Sequence, residues 1–136
     1  MKSRVRASVV VISNGRILTF LAVDPTSGKE YFFLPGGGIE DDETAPGAAE
    51  RETLEETGYR VEVDPSSNVD REYKFFWNGE MYDCLTIFYR GHLKAPMAAK
   101  VADADYNKGV RWIPVDDVAA VFDYSPEILS AIEDLL

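Results

Sequence analysis

Residues 36–59 read Gly36-Gly37-Gly38-Ile39-Glu40-Asp41-Asp42-Glu43-Thr44-Ala45-Pro46-Gly47-Ala48-Ala49-Glu50-Arg51-Glu52-Thr53-Leu54-Glu55-Glu56-Thr57-Gly58-Tyr59. Eight of these side chains are carboxylates and one, Arg51, is a cation, so the stretch carries −7 of the chain's net charge of −10. Thr44 suits an N-cap and Gly58 a left-handed residue past the C-terminus, which predicts a helix from Ala45 to Thr57 with Pro46 in its first turn. Gly47 weakens that turn by up to about 1 kcal/mol against alanine, so a frayed start is expected. Glu50, Glu52, Glu55 and Glu56 then share one helix, three of them near its C-terminal end, where they repel one another and oppose the helix dipole. On a helical wheel Glu52, Glu55 and Glu56 fall on the arc of Ala45, Ala48 and Ala49. A merely solvated helix face would interleave Lys or Arg at four-residue spacing. These acids call for a positive partner, and a hard divalent cation such as Mg²⁺, which joins carboxylate oxygens to substrate phosphates, fits best.

Taken as a spacing, Gly37, five residues, Glu43, seven residues and then Arg51-Glu52-Thr53-Leu54-Glu55-Glu56-Thr57-Gly58-Tyr59 resembles the Nudix box, and all seven fixed positions match. Thr53 replaces the usual aliphatic and is expected to loosen packing beneath the helix; Tyr59 is a bulkier closing residue. Phe33-Leu34-Pro35-Gly36-Gly37-Gly38 and Trp112-Ile113-Pro114 are similar to further landmarks of that family. The resemblance implies an α/β/α sandwich with a mixed β-sheet. It also implies metal-dependent hydrolysis of a phosphoanhydride in a nucleoside diphosphate linked to another group. Glu52, Glu55 and Glu56, with the carbonyl of Gly36, would hold Mg²⁺ or Mn²⁺, and Arg51 with Glu43 would form a charge pair aiming the acids. Glu52 is the leading candidate to orient or deprotonate water, with Glu55 or a later acid as alternatives. Homodimers are frequent in the family.

The 136 residues match the common size of one domain, so a single unit over 1–136 is expected. With 46 % hydrophobic and 28 % charged residues, the composition is that of a globular chain. No apolar run approaches a membrane span, and the basic N-terminus leads into alternating sequence rather than a secretory signal, which points to a cytoplasmic protein. The acidic balance argues against general nucleic-acid or anionic-membrane binding. Cys84, the single cysteine, lies in an apolar run and reads as a buried inert thiol.

Working outward from the box, Val5–Ile12 and Ile17–Val23 read as strands joined by Asn14-Gly15, a hairpin turn. Asp24–Glu30 is turn-rich, Tyr31–Leu34 a short strand, and the three glycines after Pro35 a loop. After the helix, Tyr59–Val63, Arg71–Trp77 and Met81–Tyr89 read as strands, the last two joined through Asn78-Gly79. Residues 92–105 carry no clear pattern, and Val110–Ile113 is a last strand. A short helix is expected at Asp116–Ala120. Ser125 caps a final helix with Pro126 at its start and apolar Ile128, Leu129, Ile132 and Leu136. Strands interspersed with helices give an α/β layered class.

Candidates for substrate contact are less sharply marked. Arg6 lies opposite Val5, Ala7, Val9 and Val11 on its strand, facing either a phosphate or solvent. Tyr31, Phe33, Phe75, Phe76, Trp77 and Tyr82 offer a base-stacking wall or simply core packing. Asp103 and Asp105 are either an additional acid or exposed loop charge. His92, without a ligand partner at metal spacing, reads as a surface or packing residue. A proline or tyrosine about sixteen residues past the box marks ADP-ribose or diadenosine polyphosphate hydrolases in the family; that window here holds Lys74-Phe75-Phe76-Trp77. The small-molecule substrate is therefore expected to be a nucleoside triphosphate, with ADP-ribose, a nucleotide sugar or a non-catalytic nucleotide-binding module as alternatives.

Overall fold

The computed structural model describes residues 1–136. In chain order the elements are β1 (Lys2–Ser13), β2 (Arg16–Val23), β3 (Glu30–Phe33), β4 (Gly36–Gly38), α1 (Ala45–Thr57), β5 (Val61–Val63), β6 (Val69–Trp77), β7 (Glu80–Leu93), β8 (Asn107–Pro114), α2 (Val118–Val121) and α3 (Pro126–Leu135). Both hairpins turn as expected: Asn14 and Asn78 adopt φ of 52° and 50°, each followed by a left-handed glycine. The strands form one mixed network in the order β3-β2-β1-β7-β5, with β4 beside β1, β6 beside β7 and β8 beside β2. Only β1 and β7 run parallel, from Lys2 opposite Tyr82 to Val11 opposite Gly91.

Helices cover both faces. Alternation along β1 sends Ala7, Val9 and Val11 to one side, where Ala48 and Ala49 of α1 pack on them with Leu18, Val61, Val63 and Tyr89. Val10 goes to the other side and joins Phe88, Phe122, Ala131, Ile132 and Leu135 beneath α3. The expected α/β/α sandwich with a mixed sheet is what the chain forms. No helix is long and apolar enough to cross a membrane.

Several local expectations need correction. The three glycines are not a loop: they form β4, antiparallel to Ser8, Ala7 and Arg6 of β1. The start of α1 is held rather than frayed, because Thr44 Oγ1 accepts the Gly47 amide at 3.1 Å. Thr53 is fully buried, and its hydroxyl donates to the Ala49 carbonyl at 2.7 Å, so the polar group is satisfied within the helix. Val5 shares the face of Ala7 but is 53 % exposed. Residues 92 and 93 finish β7. The short helix expected at Asp116–Ala120 does form, as a 3₁₀ turn at Val115–Asp117 running into α2. At the C-terminus Leu135, not Leu136, is the buried leucine, alongside Ala131 and Ile132.

Candidate active site

The glycine strand decides how α1 meets the sheet. A Cβ at Gly36 would stand 2.1 Å from Ser8 Oγ, and one at Gly37 would stand 2.5 Å from Glu52 Cδ. Bare backbone at both positions lets β4 lie against β1 and lets Glu52 lie against β4. Glu56, buried, accepts the Gly36 amide at 2.8 Å. Burial pushes the Glu56 carboxyl well above the ordinary carboxylate range; the Gly36 amide opposes the shift, and the charges of Glu52 and Asp103 reinforce it. Glu52 is raised as well, again first by burial, against the pull of Arg51.

Arg51 fastens the acids to the preceding loop. Its Nε and Nη2 donate to Glu43 Oε2 and Oε1 at 2.6 and 2.9 Å, a bidentate pair. Nη1 reaches Glu52 Oε1 at 3.0 Å and Glu55 Oε1 at 3.1 Å, and Nη2 reaches the Gly38 carbonyl at 3.2 Å. Glu43 also accepts the Glu40 amide at 3.0 Å, and Arg51 holds the Glu43 carboxyl below its usual range.

Glu52 and Glu56 open into a cavity of about 440 Å³, lined also by Gly36–Gly38 and by Arg4, Arg6 and Ser8 of β1. Arg6 has no carboxylate within ion-pair distance; its one protein hydrogen bond is from Nη1 to the Tyr73 hydroxyl at 3.4 Å. Arg4 lies 4.4 Å from the Tyr82 ring centroid. The aromatic wall holds Phe33, Phe75, Trp77, Tyr106 and Tyr124. Phe75 and Trp77 are nearly parallel at 6.3 Å, and Tyr106 meets Trp77 edge-on at 5.5 Å. Burial, with Glu56 and Asp103 nearby, pushes the Tyr106 phenol up to about 12.

A cation requirement can be tested against these residues. The donors are all hard oxygens, and the buried Glu56 and half-buried Glu52 repel each other, which suits Mg²⁺ or Mn²⁺ in type. No three acids converge as a closed shell, because Arg51 Nη1 stands between Glu52 and Glu55.

Among the expected site residues, Arg6, Gly36, Glu52 and Glu56 line the cavity, as do Phe33, Phe75, Trp77 and Tyr82. Glu55 is exposed on the outer side, in contact with Arg51. Phe76 does not line the cavity: strand alternation turns it to the opposite face, 52 % exposed. Tyr31 stands behind the wall, stacked on Phe33 at 5.5 Å. Asp103 accepts the Asn107 side-chain amide at 2.9 Å, and that same amide nitrogen donates to the Glu56 carbonyl at 3.0 Å, which brings Asp103 toward α1; Asp105 is exposed in a turn. Cys84 is buried as expected, its thiol raised by that burial. Sequence reading missed Arg4, Tyr73, Asn78, Tyr106 and Tyr124. For Arg4 a signal existed, since residues two apart on a strand share a face; for Tyr124 there was none.

The cavity thus brings acids beside a glycine strand together with two arginines that have no carboxylate partner and an aromatic wall, within an α/β/α sandwich. A family model described as the NUDIX domain matches residues 2–135, and the chain belongs to the Nudix family, whose members act on nucleoside diphosphate derivatives and generally use a divalent metal. A "MutT-like protein" of Streptomyces ambofaciens is 44 % identical over 63 residues, a match that spans 46 % of this chain and 38 % of that protein. Among solved structures, a NUDIX hydrolase from Nitrosomonas europaea superposes with a TM-score of 0.73 at 22 % identity, over 98 % of this chain and 88 % of that one. An Ap4A hydrolase of C. elegans gives 0.71 at 16 % identity over 98 % and 94 %. The MutT protein from Methanosarcina mazei Go1 gives 0.71 at 15 % over 98 % and 93 %. At these identities the likeness is one of fold.

Proposed function

We propose that this chain is a single-domain, cytoplasmic, Mg²⁺-dependent pyrophosphohydrolase of nucleotides, with nucleoside triphosphates as its preferred substrates. The observation that carries the reading is the meeting of Glu52, Glu56 and Arg6 in one aromatic-walled cavity. Glu52, Glu55, Glu56 and the Gly36 carbonyl would hold the cation, with Glu55 exchanging Arg51 for it. Bound there, Mg²⁺ would supply neutralisation of phosphate charge and a more acidic water, and Mn²⁺ would serve in its place.

The chain's own groups would do the rest. Glu52, which opens into the cavity beside the Gly36–Gly38 strand, would orient the attacking water and take its proton. Arg51 is a positioning residue: its Nη1 holds Glu52 while Glu43 fixes the guanidinium from behind. Arg6 meets a phosphate oxygen, the partner its guanidinium otherwise lacks. Phe33, Phe75 and Trp77 stack the base.

The test is a nucleotide panel with Mg²⁺, products separated by chromatography, and paired substrates competing in one tube to compare kcat/KM. Triphosphates consumed before ADP-ribose, nucleotide sugars and diadenosine polyphosphates support the reading. Prior consumption of one of those others replaces the substrate. Saturable binding with no product favours the non-catalytic module.

A further inference from the structure

The turn residue Asn78 lines the cavity beside Trp77. Its backbone, at φ 50° with glycine following at 80°, is what a two-residue hairpin turn requires. That requirement accounts for the residue type but not for the way its side chain is held. Thr26 Oγ1 donates to Asn78 Oδ1 at 2.7 Å. Thr26 is itself anchored, its amide donating to Asp24 Oδ1 at 2.8 Å, and Asp24 Oδ2 accepts the Asn78 amide at 3.1 Å. The carboxamide is thus oriented from behind: its oxygen is engaged, while Nδ2, with two N–H donors, has no intramolecular partner.

We propose that Asn78 reads the nucleobase edge that carries O6 or O4 and selects a carbonyl over an amino group there, guanine over adenine and uracil or thymine over cytosine. A ring stacked along Trp77 brings an edge toward the next residue in the chain. Guanine shows two neighbouring acceptors on one edge, O6 and N7, where adenine pairs N7 with an amino donor; thymine shows O4 where cytosine shows an amino group. An amino group set against Asn78 Nδ2 opposes donor to donor and forgoes the direct hydrogen bond that a carbonyl would accept. Thr26 is the positioning residue that keeps the amide from turning over. The ligand class rests on the proposed nucleotide hydrolysis, but the preference is a property of binding and is read without turnover.

Nucleoside monophosphates have no anhydride to cleave, so GMP, AMP, UMP and CMP are titrated in Mg²⁺ while tryptophan fluorescence is followed. The wild-type protein is expected to bind GMP over AMP, and UMP over CMP, by about tenfold or more in Kd. Asn78→Gly keeps the turn, since glycine adopts the same backbone, and should bring both ratios to within about twofold. Asn78→Asp replaces donors with acceptors and should invert them. Thr26→Val should lower both ratios, with melting temperature and circular dichroism confirming the fold in each variant. Ratios within twofold in the wild type, the same ratios in Asn78→Gly, or no saturable binding of any of the four would overturn the proposal. Base-selective binding without hydrolysis of any triphosphate would leave base reading standing and remove the hydrolase. Hydrolysis without base selection would do the reverse.

Discussion

Glu52 lies so close over Gly37 that a Cβ on the glycine would stand 2.5 Å from the carboxyl carbon. The smallest possible side chain therefore sets where the carboxylate sits. Gly37→Ala should displace Glu52 by pressing a methyl on its carboxylate while removing no polar group of the site, and a shift on the order of 1 Å in a positioned group costs on the order of 10²-fold in rate. Steady-state kinetics should show the fall in kcat with a near-native circular dichroism spectrum; an unchanged kcat would mean that the placement of Glu52 is not critical.

Glu52→Gln keeps the shape and loses the charge and basicity. Turnover is expected to drop about 10²- to 10⁴-fold, the range for a positioned acid or base, while the fold survives. Equal rates for mutant and wild type at saturating Mg²⁺ would remove Glu52 from the reaction.

Mg²⁺ binding to the folded state alone should raise the melting temperature by mass action. The rise should vanish in a Glu55→Gln, Glu56→Gln double variant, which keeps the acceptor for the Gly36 amide but not the charge. A melting scan in zero and millimolar Mg²⁺ decides it, and an equal shift in both proteins would place the cation elsewhere.

Asp24 supplies a pH signature away from the acids of α1. Burial pushes its carboxyl up, but the amides of Thr26, Asn78 and Ser27 together outweigh burial and hold it below the ordinary value. A depressed folded-state pKa stabilises the protein above the unfolded value, near 3.9 for Asp, and that contribution is lost as pH falls through the folded value. Asp24→Asn should therefore be less stable than wild type at neutral pH, with the gap closing as melts are taken into the acid range. A gap that stays constant with pH would show that the contribution of Asp24 is not its charge.

Residues 36–59 by themselves determined the family, the limits of α1 and both of its caps, because spacing, N-cap chemistry and a left-handed glycine act over a few residues. The Asn-Gly turns fixed both hairpins for the same reason. What only the tertiary structure decided was which residues meet across long separations. The glycines became β4 because β1 offered backbone partners that no local rule reveals. Glu52, Glu55 and Glu56 look alike on a helical wheel, yet packing buries Glu56, half-buries Glu52 and leaves Glu55 outside. The aromatic run at 75–77 split by strand alternation, sending Phe76 away from the cavity, while Tyr106 and Tyr124 arrived from a loop and a helix approach with no pattern to announce them. Local conformational preferences are written in neighbouring residues, whereas a binding cavity is an intersection of distant segments, and its membership depends on how the sheet and helices pack.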